Sequence, residues 1–241
     1  MEIECRNWLE MIRKSLFIRK QKTMNSTLLR NVLLAATLMA APSLSYAAIV
    51  YDNTTTSLGV FYSGQAPGNQ FGDEITLSGT ERTLSGFSIL YNFNGAAGTA
   101  TGVLRLYDTT GPLGAPGTLL YDGSSLPFNL QPGQRTQPVN FSAVTPPIIL
   151  PGTLIWTIQF AGASAAQAGL LVYGPPGTGS SPGNDFWENS GGMWNRFVVS
   201  GAARSDFAAQ VTAVPEPSAL ALGALALVAG AGFAGYRKLR Q

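Results

Sequence analysis

The sequence contains no histidine, a single cysteine (Cys5) and, between residues 48 and 213, no lysine. Without histidine the chain supplies no Ser-His-Asp triad, no histidine-ligated zinc and no histidine base. With one cysteine it forms no internal disulfide, and thiol chemistry is confined to Cys5. Charge is also scarce, at 12% of 241 residues, and it is unevenly placed. Seven of the fifteen basic residues fall within residues 1–30, and three more, Arg237, Lys238 and Arg240, within the last five. Residues 48–213 hold nine acids against five arginines, a net charge of −4. That segment lacks the basic footprint of a nucleic-acid binder, so nucleic acid is not an expected partner.

What is present is clearest at the two ends. Arg30 precedes an apolar run from Val32 to Ala41, followed by Pro42 and by Ser45-Tyr46-Ala47-Ala48. A positive region, a short apolar stretch and a small-x-small site together predict a secretory signal peptide, cut after Ala47 or Ala48. Met24 gives that signal ordinary proportions and is the expected start. Residues 1–47 are therefore expected to be a leader. At the other end stands Val214-Pro215-Glu216-Pro217-Ser218, then an uncharged run from Ala219 to Tyr236, then Arg237-Lys238-Leu239-Arg240. Two prolines around one acid keep the segment extended. Eighteen uncharged residues at about 1.5 Å each nearly match the hydrocarbon thickness, which predicts a transmembrane helix. The basic end, Arg237, Lys238 and Arg240, is expected on the cytoplasmic side of the inner membrane.

Residues 214–241 resemble the PEP-CTERM sorting signal. The resemblance rests on Pro215-Glu216-Pro217, the apolar span and the basic end, in that order. It implies recognition and cleavage by the membrane enzyme exosortase, a membrane-anchored precursor, and delivery to the cell surface or medium in bacteria that make exopolysaccharide.

The middle, residues 48–213, is punctuated by Gly, Pro, Asn and Asp and has no helical period. In Phe87–Phe93 the odd positions form an aromatic and aliphatic face; in Leu154–Phe160 the even positions do the same. Val103–Asp108 is apolar on nearly both sides. Further strands are expected at Ala48–Asp52, Leu58–Tyr62, Glu74–Leu77, Thr118–Tyr121, Val139–Ala143, Gly169–Tyr173, Met193–Val199 and Phe207–Thr212. Many short strands between turn signals predict an all-β sandwich or jelly roll, with Phe87, Tyr91, Leu104, Leu106 and Trp156 in its core. The segment also resembles the choice-of-anchor family of β-rich surface domains, through Phe71–Ile75, Gly79–Leu84, Pro116–Tyr121, Gly169–Tyr173 and Asn184–Glu188. That resemblance implies fold and location and assigns no activity.

No catalytic residue is assigned from the sequence. Gly174-Pro175-Pro176-Gly177-Thr178-Gly179-Ser180-Ser181 has serine where a phosphate loop needs lysine, and it reads as a strand-connecting loop. Candidate glycan or metal contacts are Asp73, Asp185, Trp187 and Glu188, the last three in an expected Gly-rich loop. A carboxylate pair beside an aromatic ring suits sugar, and a glycosidase needs two carboxylates. Asp52, Asn53, Asp73, Asp185 and Glu188 are candidate oxygen ligands for a structural calcium. Otherwise no cofactor is expected. Trp187 and Trp194 are expected to pack in the core, Trp194 the more firmly. The function expected is an exported, exosortase-processed surface or matrix protein associated with exopolysaccharide or biofilm, structural or glycan-binding. The alternative is an exported carbohydrate-active enzyme with paired carboxylates.

Overall fold

The alternating stretches become the centres of two facing sheets. Phe87, Ile89, Tyr91 and Phe93 are buried, as are Leu154, Trp156, Ile158 and Phe160. Successive strand side chains point to opposite faces, so each run buries one face and leaves the other to polar residues. A computed structural model describes residues 46–64, 66, 68–198 and 206–216. The expected signal peptide up to Ser45 and the expected tail helix over Ala219–Tyr236 lie outside the described residues. Among those described there is no α-helix, and no helix is long and apolar enough to cross a membrane.

The strands are β1 (Ala48–Asp52), β2 (Ser57–Tyr62), β3 (Gln70–Thr76), β4 (Thr83–Phe93), β5 (Thr101–Tyr107), β6 (Leu119–Asp122), β7 (Phe128–Asn129), β8 (Gly133–Asn140), β9 (Thr153–Ala161), β10 (Ala168–Tyr173), β11 (Asp185–Ser190), β12 (Met193–Val198), β13 (Asp206–Phe207) and β14 (Ala209–Val214). One sheet runs β1-β14-β4-β10-β13, with β2 against β10 and β8 against β4. The other runs β12-β11-β3-β9-β5-β6, with β7 beside β5. The pairings are antiparallel. The fold is therefore a β-sandwich, closed over a core that includes Tyr51, Phe71, Phe87, Tyr91, Leu104, Leu106 and Trp156. Burying each such large side chain stabilises by roughly 1.5–3 kcal/mol before entropy is counted.

The first sheet forks. β4 pairs β8 along one side; along the other it pairs β14 over Thr83–Ile89 and β10 over Tyr91–Phe93. Ala208 sits at the branch, donating its N–H to the Leu171 carbonyl (2.9 Å) and accepting from Leu90 N–H (3.1 Å). Beyond the branch, β1 flanks β14 and β2 flanks β10. The start of the last strand is thus driven into the middle of the sheet.

Three expectations need correction. β3 begins at Gln70, before Glu74, and β8 covers Gly133–Asn140, where Val139–Ala143 was expected. β8 is a largely exposed edge strand carrying Gln134, Arg135, Thr136, Gln137 and Pro138, so its pairing leaves little apolar alternation to read. Its expected end turns instead, with Asn140 Oδ1 accepting from Ser142 N–H (2.9 Å). Residues 185–190 are a strand, not a Gly-rich loop. Gly191 and Gly192 have φ of 61° and 87° and connect Ser190 to its partner Met193. Two consecutive positive φ values are what a two-residue type I′ hairpin turn requires, and Gly-Gly supplies them without a Cβ clash.

Candidate functional site

The outer face of the second sheet carries a groove with an aromatic floor. Trp187 on β11, 5% exposed, packs on Ile155 of β9 and on Ala115, with Tyr107 and Trp194 at its margin. Its indole N–H hydrogen-bonds Glu74 on β3. Burial and the nearby Asp185 raise the Glu74 carboxyl above its ordinary range, and Arg196 and Trp187 oppose that rise. The Arg196 guanidinium lies 5.9 Å from the Trp187 ring centroid, and its Nε donates to Asp185 Oδ2 (2.8 Å). Trp194 meets Tyr107 edge-to-face at 5.6 Å. Trp187 is thus the buried tryptophan and Trp194 the partly buried one, the reverse of the expected order.

A loop over Pro112–Pro116 forms one wall. It is pinned by Asp108, whose Oδ1 accepts from Thr110 Oγ1 (2.6 Å), Thr110 N–H (3.1 Å) and Thr118 N–H (2.7 Å). These bonds, the Thr110 side chain first, hold the Asp108 carboxyl down at about 2. Leu113 at the loop tip has φ 58° and is 98% exposed. Met193, 70% exposed, stands at the end of β12. Leu113, Pro116, Trp187, Met193, Trp194 and Arg196 line a groove of about 670 Å³. Ring faces beside hydrogen-bond donors match the amphipathic character of a sugar, which has C–H faces and a hydroxyl rim.

The expected acidic residues do not gather in one place. Asp185 and Glu188 are three apart on a strand and therefore face opposite sides. Asp185 turns to Arg196 on the outer face. Glu188, 1% exposed, turns inward and accepts from Tyr62 O–H (2.7 Å) and Asn69 Nδ2 (2.6 Å). Burial and that bond to Glu188 push the Tyr62 phenol upward. Asp73, 1% exposed, lies between the sheets and accepts from the backbone N–H of Phe207, while Asn53 Nδ2 donates to the carbonyl of the same residue (3.3 Å). Asp52 Oδ1 accepts from Thr54 N–H (2.9 Å) and Thr54 Oγ1 (2.7 Å). Among the described residues no group of three His, Cys, Asp or Glu side chains is placed to hold a metal ion. Sequence reasoning missed Asp206, buried near Asp73, because nothing local marks a residue that only the sheet fork brings inward.

The N- and C-terminal strands leave the sandwich together. Ala48, at the expected signal-cleavage site, pairs with Ala213 in the β1–β14 ladder. β14 ends at Val214, and Pro215 and Glu216 follow directly, exposed and outside any strand. Proline has no N–H to continue the ladder, so the pairing stops there. Pro217, Arg237, Lys238 and Arg240 lie outside the described residues. No curated protein and no solved structure matched the chain. Residues 213–238 match the PEP-CTERM protein-sorting motif, which implies an exported chain with a membrane-anchored precursor and exosortase as its processing partner.

Proposed function

We propose that this is a cell-surface or extracellular-matrix protein whose β-sandwich holds exopolysaccharide without cleaving it, and whose tail is removed by exosortase. The observation that carries the proposal is the sorting motif beginning where β14 ends, with Pro215 and Glu216 exposed. The resemblance of residues 50–213 to choice-of-anchor surface domains supports a display role. The groove between the Pro112–Pro116 loop and β12 supports glycan binding, with Trp194 as the stacking ring and Asn195 and Arg196 as polar contacts.

The test uses exopolysaccharide from the native producer and the secreted protein, with calcium and with a chelator. Binding without new reducing ends is expected, and Trp194→Ala should weaken it about tenfold, within the range of a lost stacking contact. A calcium requirement would place an ion among the loop oxygens. New reducing ends would favour the carbohydrate-active enzyme instead. Absence of binding would leave the sandwich as a displayed spacer.

A further inference from the structure

The lips of the outer groove are apolar and bury nothing in the fold. Leu113 adopts φ 58° and ψ 26°, a left-handed conformation that is unfavourable for leucine and open to asparagine or glycine. Its side chain is 98% exposed, so no packing offsets that strain. The loop that carries it is closely tied. Gly111 N–H donates to the Ala115 carbonyl (3.1 Å), Gly114 N–H to that of Gly111 (3.2 Å) and Ala115 N–H to that of Pro112 (3.1 Å). A Cβ on Gly117 would lie 2.5 Å from Asp108 Oδ1, so the turn pinned by Asp108 has no slack there. The loop therefore presents Leu113 in a set place. Met193, the first residue of β12, is also largely exposed and stands on the other side of the groove.

Between these lips Asn195 and Arg196 offer N–H donors. The Arg196 guanidinium is already engaged by Asp185, with Nε 2.8 Å from Oδ2. With that cation neutralised, and residues 48–213 at a net charge of −4, the groove favours a neutral chain over a polyanion. A sugar hydroxyl set against Leu113, Pro116 or Met193 would lose water and find no apolar partner able to replace it, which weakens binding. An acetyl ester has no donor to strand there. Its methyl group gains by leaving water, and its carbonyl needs only an N–H. We propose that the groove selects a neutral polysaccharide bearing O-acetyl groups, the acetyl methyl seated between Leu113 and Met193 and the ester carbonyl turned to the Asn195 amide. The proposal rests on the glycan-binding reading of the same groove and adds the substituent that the groove selects.

The test is calorimetric titration of the full chain in phosphatidylcholine nanodiscs. The probe is the native producer's exopolysaccharide in two forms: de-O-acetylated with mild alkali, and the same material re-acetylated with acetic anhydride. The re-acetylated form should bind about fivefold more tightly, the gain of a buried methyl-sized group. Leu113→Asn suits the left-handed backbone, so its Tm should not fall, and the ratio of the two affinities should drop to near unity. Leu113→Met keeps an apolar side chain at the loop tip and should retain the preference. Equal affinity for the two forms in the natural chain, or a preference that survives Leu113→Asn, would overturn the acetyl assignment and leave glycan binding in place. Binding of neither form would overturn the glycan reading and this inference together.

Discussion

Asp73 shows how a single residue can be costly and still be structurally placed. It sits on β3 facing the core, where the alternation Phe71-Asp73-Ile75 would otherwise call for a third apolar side chain. Burial raises its carboxyl well above the ordinary range, the neighbouring charge of Asp206 raises it further, and the hydrogen bond from Phe207 opposes both. A carboxyl raised in the folded state favours folding while protonated. That contribution is full below the unfolded value of about 3.9 and is lost as pH climbs toward the higher folded value. Asp73→Asn removes the charge and keeps the acceptor. It should therefore stabilise the domain at pH 7 by on the order of 1 kcal/mol, a rise in Tm of about 3 °C. The gain should vanish near pH 3; thermal melts at the two pH values check it, and an equal gain at both would contradict this account. Gly72, next to it, makes the opposite case. A Cβ there would lie 1.9 Å from the Trp156 carbonyl oxygen, so Gly72→Ala should cost about 3 kcal/mol in denaturant unfolding.

At the scale of elements, the β11–β12 hairpin depends on its turn. Gly191→Val or Gly192→Val should each destabilise by about 1–2 kcal/mol, since each forces a branched side chain into positive φ. Trp194 emission should shift to the red in both variants as the hairpin frays; an unshifted emission and unchanged Tm would count against the turn assignment. The Pro112–Pro116 loop has its own anchor. The low Asp108 carboxyl means that its bonds hold at ordinary pH and are lost as pH falls toward about 2. Asp108→Ala should loosen the loop and raise acrylamide quenching of tryptophan without unfolding the domain.

Most of these elements were legible where a strand buries one face and alternation follows. Phe87–Phe93 and Leu154–Phe160 could be read directly, as could the core positions of Leu104, Leu106 and Trp156. The hairpin was not, although Gly191-Gly192 between two short runs was its visible signal. Asn189 and Ser190 made β11 look like loop. The polar edge strand β8 escaped for the reason that it buries little. The groove was half legible: Trp187 and Trp194 were evident as a pair, but Tyr107, Glu74 and the Asp108-pinned loop join them only through the register of the sheet. The pairing of Asp73 with Asp206 spans the two sheets, and no local pattern carries that information.

For the whole molecule, charge and topology point the same way. The acidic sandwich has no lysine, and the basic residues outside it gather near the two ends of the chain. The first and last strands of the sandwich pair with one another, so the expected signal-cleavage site at Ala47-Ala48 and the sorting motif leave from adjacent positions. Pro215 and Glu216, which open the proline-acid-proline motif, are exposed immediately after β14 in the folded domain. The most direct measurement is therefore the intact mass of the protein recovered from strains with and without exosortase, for the natural chain and for the Pro215→Ala, Pro217→Ala double variant. The account predicts a shortened mature chain, lacking the apolar tail, only for the natural sequence in the exosortase-containing strain. The same shortened mass in the double variant, or in the strain without exosortase, would contradict it.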